Sequence, residues 1–129
     1  MNVTILDYRP RAEQNIFLNA CDVGLVALKK GMWGTAMPSR TYNIMAVGKP
    51  VLALTDENSE LARVIEEDKI GWHLSPGDAV KLSALIEDLF NDRHTLKEMG
   101  DRARKAAVEK YSKDQAVSQY ARVLSRGRG

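Results

Sequence analysis

Three consecutive residues, Pro38, Ser39 and Arg40, stand where a polar, glycine-containing loop (KKGMWGTAMP, 29–38) runs into a short helix. That helix is read from Ser39 to about Val47. The amide groups of its first turn have no partners within the helix, and the helix dipole adds partial positive charge at the same end. A phosphate or diphosphate placed there would accept those N–H bonds. Pro38 fixes the chain's entry angle, Ser39 offers a hydroxyl, and Arg40 can reach a phosphate bidentately. Gly31 and Gly34 would let the backbone approach a ligand closely. The same spacing also fits a plain helix cap with an ordinary loop, and spacing alone leaves both readings open.

Little else in the chain has a pattern that does chemistry. His73 lies beside a strand and His94 begins a surface helix, so both are read as structural. No metal-ligand spacing is found, and the reading assigns no metal and no catalytic group. Cys21 is the only cysteine, which leaves no internal disulfide and no sign of an oxidising compartment. No run approaches the ~18 apolar residues of a membrane span, and no signal-peptide pattern opens the chain. A cytoplasmic location is expected.

The elements that must position the Pro-Ser-Arg stretch follow from periodicity. NVTIL (2–6), DVGLVAL (22–28), PVLAL (50–54) and IGWHL (70–74) are short apolar runs bounded by polar residues, and each reads as a strand. Helices are predicted at about 11–20, after Pro10, at 39–47, and after Ser59 as an N-cap, with Leu61, Val64 and Ile65 on one face. Asp78 is poised to cap the next helix, whose Leu82, Leu85, Ile86, Leu89 and Phe90 form an amphipathic stripe. Helices at about 93–110 and 112–125 follow, the latter opening with a Ser112-x-x-Gln115 capping box, and 126–129 read as a disordered tail. Gly48 is the expected residue just past a helix end.

Strands alternate with helices four times, and the strands are near-continuous apolar runs. Both features predict an α/β fold, about four parallel strands with helices on both faces. In such folds ligands bind at the carboxyl ends of the strands, where the loop 29–38 is expected to lie.

With 129 residues, 44% hydrophobic and 28% charged, the chain has a globular composition and the length for one modest core. Its net charge of +2 hides an asymmetry: residues 1–92 carry a net −4 and residues 93–129 a net +6. A basic C-terminal part could meet an anionic surface, but its charges are interleaved with Glu and Asp. Aromatic residues are too sparse there to stack on bases, so no nucleic-acid partner is expected.

The motifs taken together resemble a known family. PSRTYNIMAVGKPVLAL resembles the segment Pro-Ser-Lys/Arg-x-Tyr/Phe-Asn/Glu-x-Met/Leu-Ala-x-Gly-Lys/Arg-Pro-Val of retaining GT-B glycosyltransferases of family 4 (glycosyl transferases group 1). NVTILDYRPRAEQNIFLNACDVGLVAL is similar to that family's strand followed by a Pro and, later, Ala-Asp-Val-x-Leu. SELARVIEEDKIGWHLSPGDAVKLSALIEDLFND and MGDRARKAAVEKYS resemble its later segments, in the same order. The likeness runs from about residue 2 to 125.

What the resemblance implies is the later part of a Rossmann-like, C-terminal donor-binding domain, within a three-layer sandwich. Pro38, Ser39 and Arg40 would hold the donor diphosphate of a nucleotide sugar. The family's paired glutamates would fall at Thr35 and Asn43, where neither is a carboxylate. Asn43 can still bond a ribose hydroxyl, and Thr35 with Gly34 would lie by the sugar. Transfer would retain configuration, need no metal or other cofactor, and serve polysaccharide or lipopolysaccharide assembly, with the acceptor lipid at the inner face of the membrane.

The acceptor domain and the first two strand-helix units of the donor domain find no match here. By itself the chain is therefore expected to bind a donor without turning it over. The strand at 2–6 would pair directly onto the next, or the open sheet edge would be covered by a second copy or by a separately encoded half.

Overall fold

Ser59, Asp78 and Asp92 each stand one residue before a helical segment, and in the computed structural model each caps the helix that follows. Ser59 Oγ accepts the Ala62 N–H at 3.0 Å, Asp78 Oδ1 that of Lys81 at 3.1 Å, and Asp92 Oδ1 that of Thr95 at 3.2 Å. Each bond satisfies a first-turn amide that the helix itself cannot. The structure describes residues 3–7, 9–29, 31, 37–111 and 121. After a 3-10 turn at Arg11–Glu13, the order is α1 (Gln14–Ala20), β1 (Gly24–Ala27), α2 (Ser39–Ala46), β2 (Val51–Leu54), α3 (Glu60–Asp68), β3 (Gly71–Leu74), α4 (Ala79–Phe90) and α5 (Arg93–Glu109). The expected helix at 112–125 and the tail at 126–129 lie outside the described residues, Ala121 apart.

The three strands form one parallel sheet in the order β1-β2-β3, with Gly24 beside Val51 and Val51 beside Gly71. Because side chains alternate along a strand, Val26, Val51 and Ala53 point to one face. There they meet Ile44 and Met45 of α2, Leu61, Val64 and Ile65 of α3, and Ala103, Ala106 and Ala107 of α5 in the main core. α2 lies hard against the sheet: a Cβ on Gly24 would fall 2.5 Å from Ile44 carbons. On the opposite face Leu25 and Leu52 border an open groove of about 280 Å³ with Leu82, Ile86, Leu89 and Phe90 of α4.

Two expectations change. The strand expected at 2–6 does not form over its described residues 3–6; they have no regular structure, and Ile5 is 92% exposed. The described sheet therefore has three strands, not about four. A short run becomes a strand only when a neighbour takes its backbone hydrogen bonds, and this one does not reach β1, whose outer edge stays unpaired among the described residues. The α4 stripe is also only partly covered: Leu89 is buried, while Phe90 is 73% exposed toward the groove. Periodicity marked the apolar side of α4 correctly; how much of it is covered depends on elements packed across the sheet.

Candidate functional site

At the carboxyl end of the sheet, the connection from β1 leads to the N-terminus of α2. The cap position is held by Pro38, with φ −59° and ψ 139°, and no side chain among the described residues caps the helix. Ser39 is therefore the first helical residue rather than the cap. Pro38 supplies only its carbonyl, which accepts the Thr41 N–H at 3.0 Å. This contrasts with α3, α4 and α5, where a Ser or Asp side chain fills that role. The amphipathic split of α2 is sharp: Thr41, Ile44 and Met45 are buried, while Ser39, Arg40 and Asn43 are exposed. Residues three and four apart share a helix face, so those three polar side chains stand together over the first turn.

Packing fixes α2 at both ends. Met37, just before it, is buried in the core. At the other end Gly48 takes φ 77°, the left-handed conformation expected after a helix, and its N–H donates to the Met45 carbonyl at 3.0 Å. Arg104 Nη1 of α5 donates to the Ala46 carbonyl at 2.6 Å. The helices approach so closely that a Cβ on Gly100 of α5 would come within 2.2 Å of the Gly48 oxygen.

The connection after β2 joins the same end of the sheet. Thr55 Oγ1 donates to Ser59 Oγ at 2.8 Å in a buried pair, and the Ser59 N–H donates to the Asp56 carbonyl at 3.1 Å. The turn so formed presents the Asp56 carboxylate, whose Oδ2 accepts the Gly31 N–H at 2.7 Å. Sequence reading did not single out Asp56, because no local pattern signals a partner 25 residues away. It also passed over Thr41, whose hydroxyl is fully buried and without a hydrogen-bond partner among the described residues.

Of the residues expected at the site, Pro38, Ser39, Arg40 and Asn43 are brought together on α2. Gly34 and Thr35 lie outside the described residues. His73 Nε2 sits 2.7 Å from Glu66 Oε1, and His94 Nε2 3.0 Å from Glu98 Oε1, so both histidines are engaged in local pairs. Among the described residues no group of three or more His, Cys, Asp or Glu is placed to hold a metal.

A parallel sheet with helices on both faces, and a helix opening toward the carboxyl ends of its strands, is part of a Rossmann-like domain of the GT-B kind. Comparison with known proteins gives the family. The chain belongs to the glycosyl transferases group 1, whose family model matches residues 1–106. It is 38% identical over 112 residues to the probable glycosyltransferase WbjE of Pseudomonas aeruginosa, covering 87% of this chain and 28% of that protein. It is 27% identical over 128 residues to the amylovoran biosynthesis glycosyltransferase AmsK of Erwinia amylovora, covering 96% and 30%. The crystal structure of Anabaena HepE in complex with UDP superposes with a TM-score of 0.67 at 24% identity, over 85% of this chain and 29% of that one, and shows the same fold. The chain thus spans less than a third of the length of each of these proteins.

Proposed function

We propose that this chain binds the diphosphate of a nucleotide sugar at the N-terminus of α2. The observation that carries the reading is the N-terminus of that helix, which no side chain among the described residues caps and where Ser39, Arg40 and, one turn on, Asn43 are exposed on one side. Free first-turn amides and a guanidinium suit a doubly charged leaving group. Ser39 and Arg40 serve the diphosphate, Asn43 a ribose hydroxyl, and Gly34 and Thr35 the sugar. The family supports this reading, as does the UDP held by HepE. Within a whole enzyme the reaction would be a metal-independent transfer with retention, in which helix amides and basic side chains stabilise the departing diphosphate.

Polysaccharide assembly in the cytoplasm, with a lipid-linked acceptor at the membrane surface, completes the proposal; the relative AmsK is named for amylovoran biosynthesis. No helix among the described residues is long and apolar enough to cross a membrane. Calorimetric titration of UDP and GDP into the purified chain at low salt tests the reading. Binding that Arg40→Ala weakens by at least about tenfold, the loss expected for a charged hydrogen bond, supports it. Equal affinity in the variant refutes the diphosphate role of Arg40.

A second reading rests on the unpaired outer edge of β1 and the groove beside it, where Leu25 is 51% exposed. An open edge beside apolar surface favours association. The chain would then act as a non-catalytic module, covered by a second copy or by a separately made N-terminal half. Light scattering on the pure chain, followed by turnover assays with the missing half added, separates these outcomes from donor binding by the chain alone.

A further inference from the structure

α5 runs back along α2, and its contacts step from one end of that helix to the other. A Cβ on Gly100 would strike the Gly48 oxygen, beyond the last turn of α2, and Arg104 reaches the Ala46 carbonyl. Further along, the ring of Tyr111 lies against that of Tyr42, with centroids 5.4 Å apart and planes tilted by 56°. The first two contacts hold the end of α2 remote from Ser39. Tyr42 closes the first turn, beside Asn43 and on the side of the helix next to Ser39, so the ring pair is the contact of this series that reaches the proposed site. Both tyrosines are partly buried against the main core. Tyr111 is also held from behind. Its hydroxyl donates to Asp68 Oδ2 at 3.0 Å, and Lys110 pairs with the other oxygen of the same carboxylate. The Asp68 side chain, at the end of α3, is almost fully buried. A fixed carboxylate on α3 thus sets the ring of Tyr111, and that ring backs the first turn of α2.

We infer that Tyr111 is a positioning residue of the donor site: its ring, packed on Tyr42, holds the first turn of α2 in the form that takes a nucleoside diphosphate. The inference rests on the donor-binding reading given above. It adds a residue that need not touch the ligand and that lies far along the chain from the Pro-Ser-Arg stretch. Losing the ring pair lets the first turn leave that form. The fraction of chains able to bind then drops, and the apparent affinity falls by the same factor.

The test uses the full chain in two measurements: UDP affinity by calorimetry, and the amide signals of Ser39 to Asn43 by nitrogen-15 NMR. Tyr111→Leu removes the ring, whereas Tyr111→Phe keeps it while Lys110 still ties the turn to Asp68. Leu89→Ala, buried on the opposite face of the sheet, loses stability without touching α2. Tyr111→Leu should shift the first-turn amides and bind UDP about three- to tenfold more weakly, the factor matching an aromatic pair of ordinary strength. Tyr111→Phe and Leu89→Ala should bind close to wild type. Should Tyr111→Leu fail to fold, Tyr111→Met fills the space with a flexible chain and should show the same weakening. Unchanged affinity in the folded ring-less variant overturns the inference; if Arg40→Ala still weakens binding, the donor-binding reading stands without it. Equal weakening in Leu89→Ala also overturns it, since lost stability rather than the ring would be at work, and so does equal weakening in Tyr111→Phe. If the wild type binds no UDP, the donor-binding reading has failed and the positioning role falls with it.

Discussion

Gly100→Ala sets two effects of known size against each other. Gly100 lies inside α5, where replacing glycine by alanine favours the helix by about 1 kcal/mol. A Cβ there would meet the Gly48 carbonyl oxygen at 2.2 Å, its carbon at 3.2 Å and Pro50 Cδ at 3.5 Å. Carbon and carbonyl oxygen normally approach no closer than about 3.3 Å, so roughly 1.1 Å must be relieved. The obstacle is backbone, set by Gly48 at φ 77° and by the buried start of β2 at Pro50 and Val51, and no side-chain rotation removes it. Relief requires α5 and α2 to move apart, which loosens Ala103, Ala106 and Ala107 from the core they share with Ile44 and Met45.

Overpacking of this kind costs about 3 kcal/mol at the upper end of its usual range. Against the helix gain of about 1 kcal/mol, the net loss is about 2 kcal/mol. For a chain of 129 residues that lowers the melting temperature by roughly 7 °C. Thermal unfolding followed by far-UV circular dichroism reads it. Lys105→Ala on the exposed side of the same helix serves as control, with an expected change within about 0.5 kcal/mol. A Gly100→Ala protein that melts at or above the wild type would show that helix preference wins and that the α2–α5 approach is not close-packed. The reasoning that places α2, and with it Ser39 and Arg40, would then fail.

Two further outcomes follow from buried polar groups. The Thr41 hydroxyl, fully buried on α2 without a partner among the described residues, should make Thr41→Val more stable by about 1 kcal/mol, since an unsatisfied hydroxyl carries a desolvation penalty; a lower melting temperature would mean that the hydroxyl has a partner. Burial, then the hydrogen bond to Asp68 at 3.0 Å, raises the Tyr111 phenol above its ordinary value of 10.0. Its contribution is therefore complete below about pH 10 and is lost as the pH climbs beyond it, because the unfolded chain ionises this tyrosine first. Denaturant midpoints measured across that range should fall less steeply in Tyr111→Phe, and an equally steep fall would refute the assignment.

The parts of this fold that are local were legible in the sequence. Ser59 and Asp78 announce their helices because a cap acts within three residues, and Gly48 announces an ending because left-handed backbone favours glycine. The strand expected at 2–6 was misread because a strand depends on a partner, and no composition of Val, Ile and Leu supplies one. Ser39 was legible as a helix start, whereas the lack of any side-chain cap there emerged only from the geometry around Pro38. Asp56 and Gly100 act on Gly31 and Gly48, residues distant in sequence, so neither had a pattern to betray it. The resemblance to a family gave the region of the site; the fold gave the contacts that hold it.

The same distinction explains the basic residues of α5. On sequence alone, the net +6 over residues 93–129 could meet an anionic surface, yet its charges are interleaved with Glu and Asp. Half of the excess, in 112–129, lies outside the described residues apart from Ala121. In the structure, Arg104 donates to the last carbonyls of α2 at Ala46, and Arg102 Nε donates at 3.0 Å to the carbonyl of Lys69, the left-handed residue that ends α3. A cation at a helix C-terminus meets both unpaired carbonyls and the negative end of the dipole. Arg93 pairs with Asp22 at 2.8 Å, and Lys110 pairs with Asp68, whose side chain is only 4% exposed. α5 is basic because it serves as a common capping strip for two sheet helices and ties down acidic residues on the segments it crosses. An attraction to membrane phosphates would have to compete with these bonds at Arg102 and Arg104. Among the described residues the positive end of α2, at Ser39, carries no such internal partner from a side chain, which leaves it open for the proposed diphosphate.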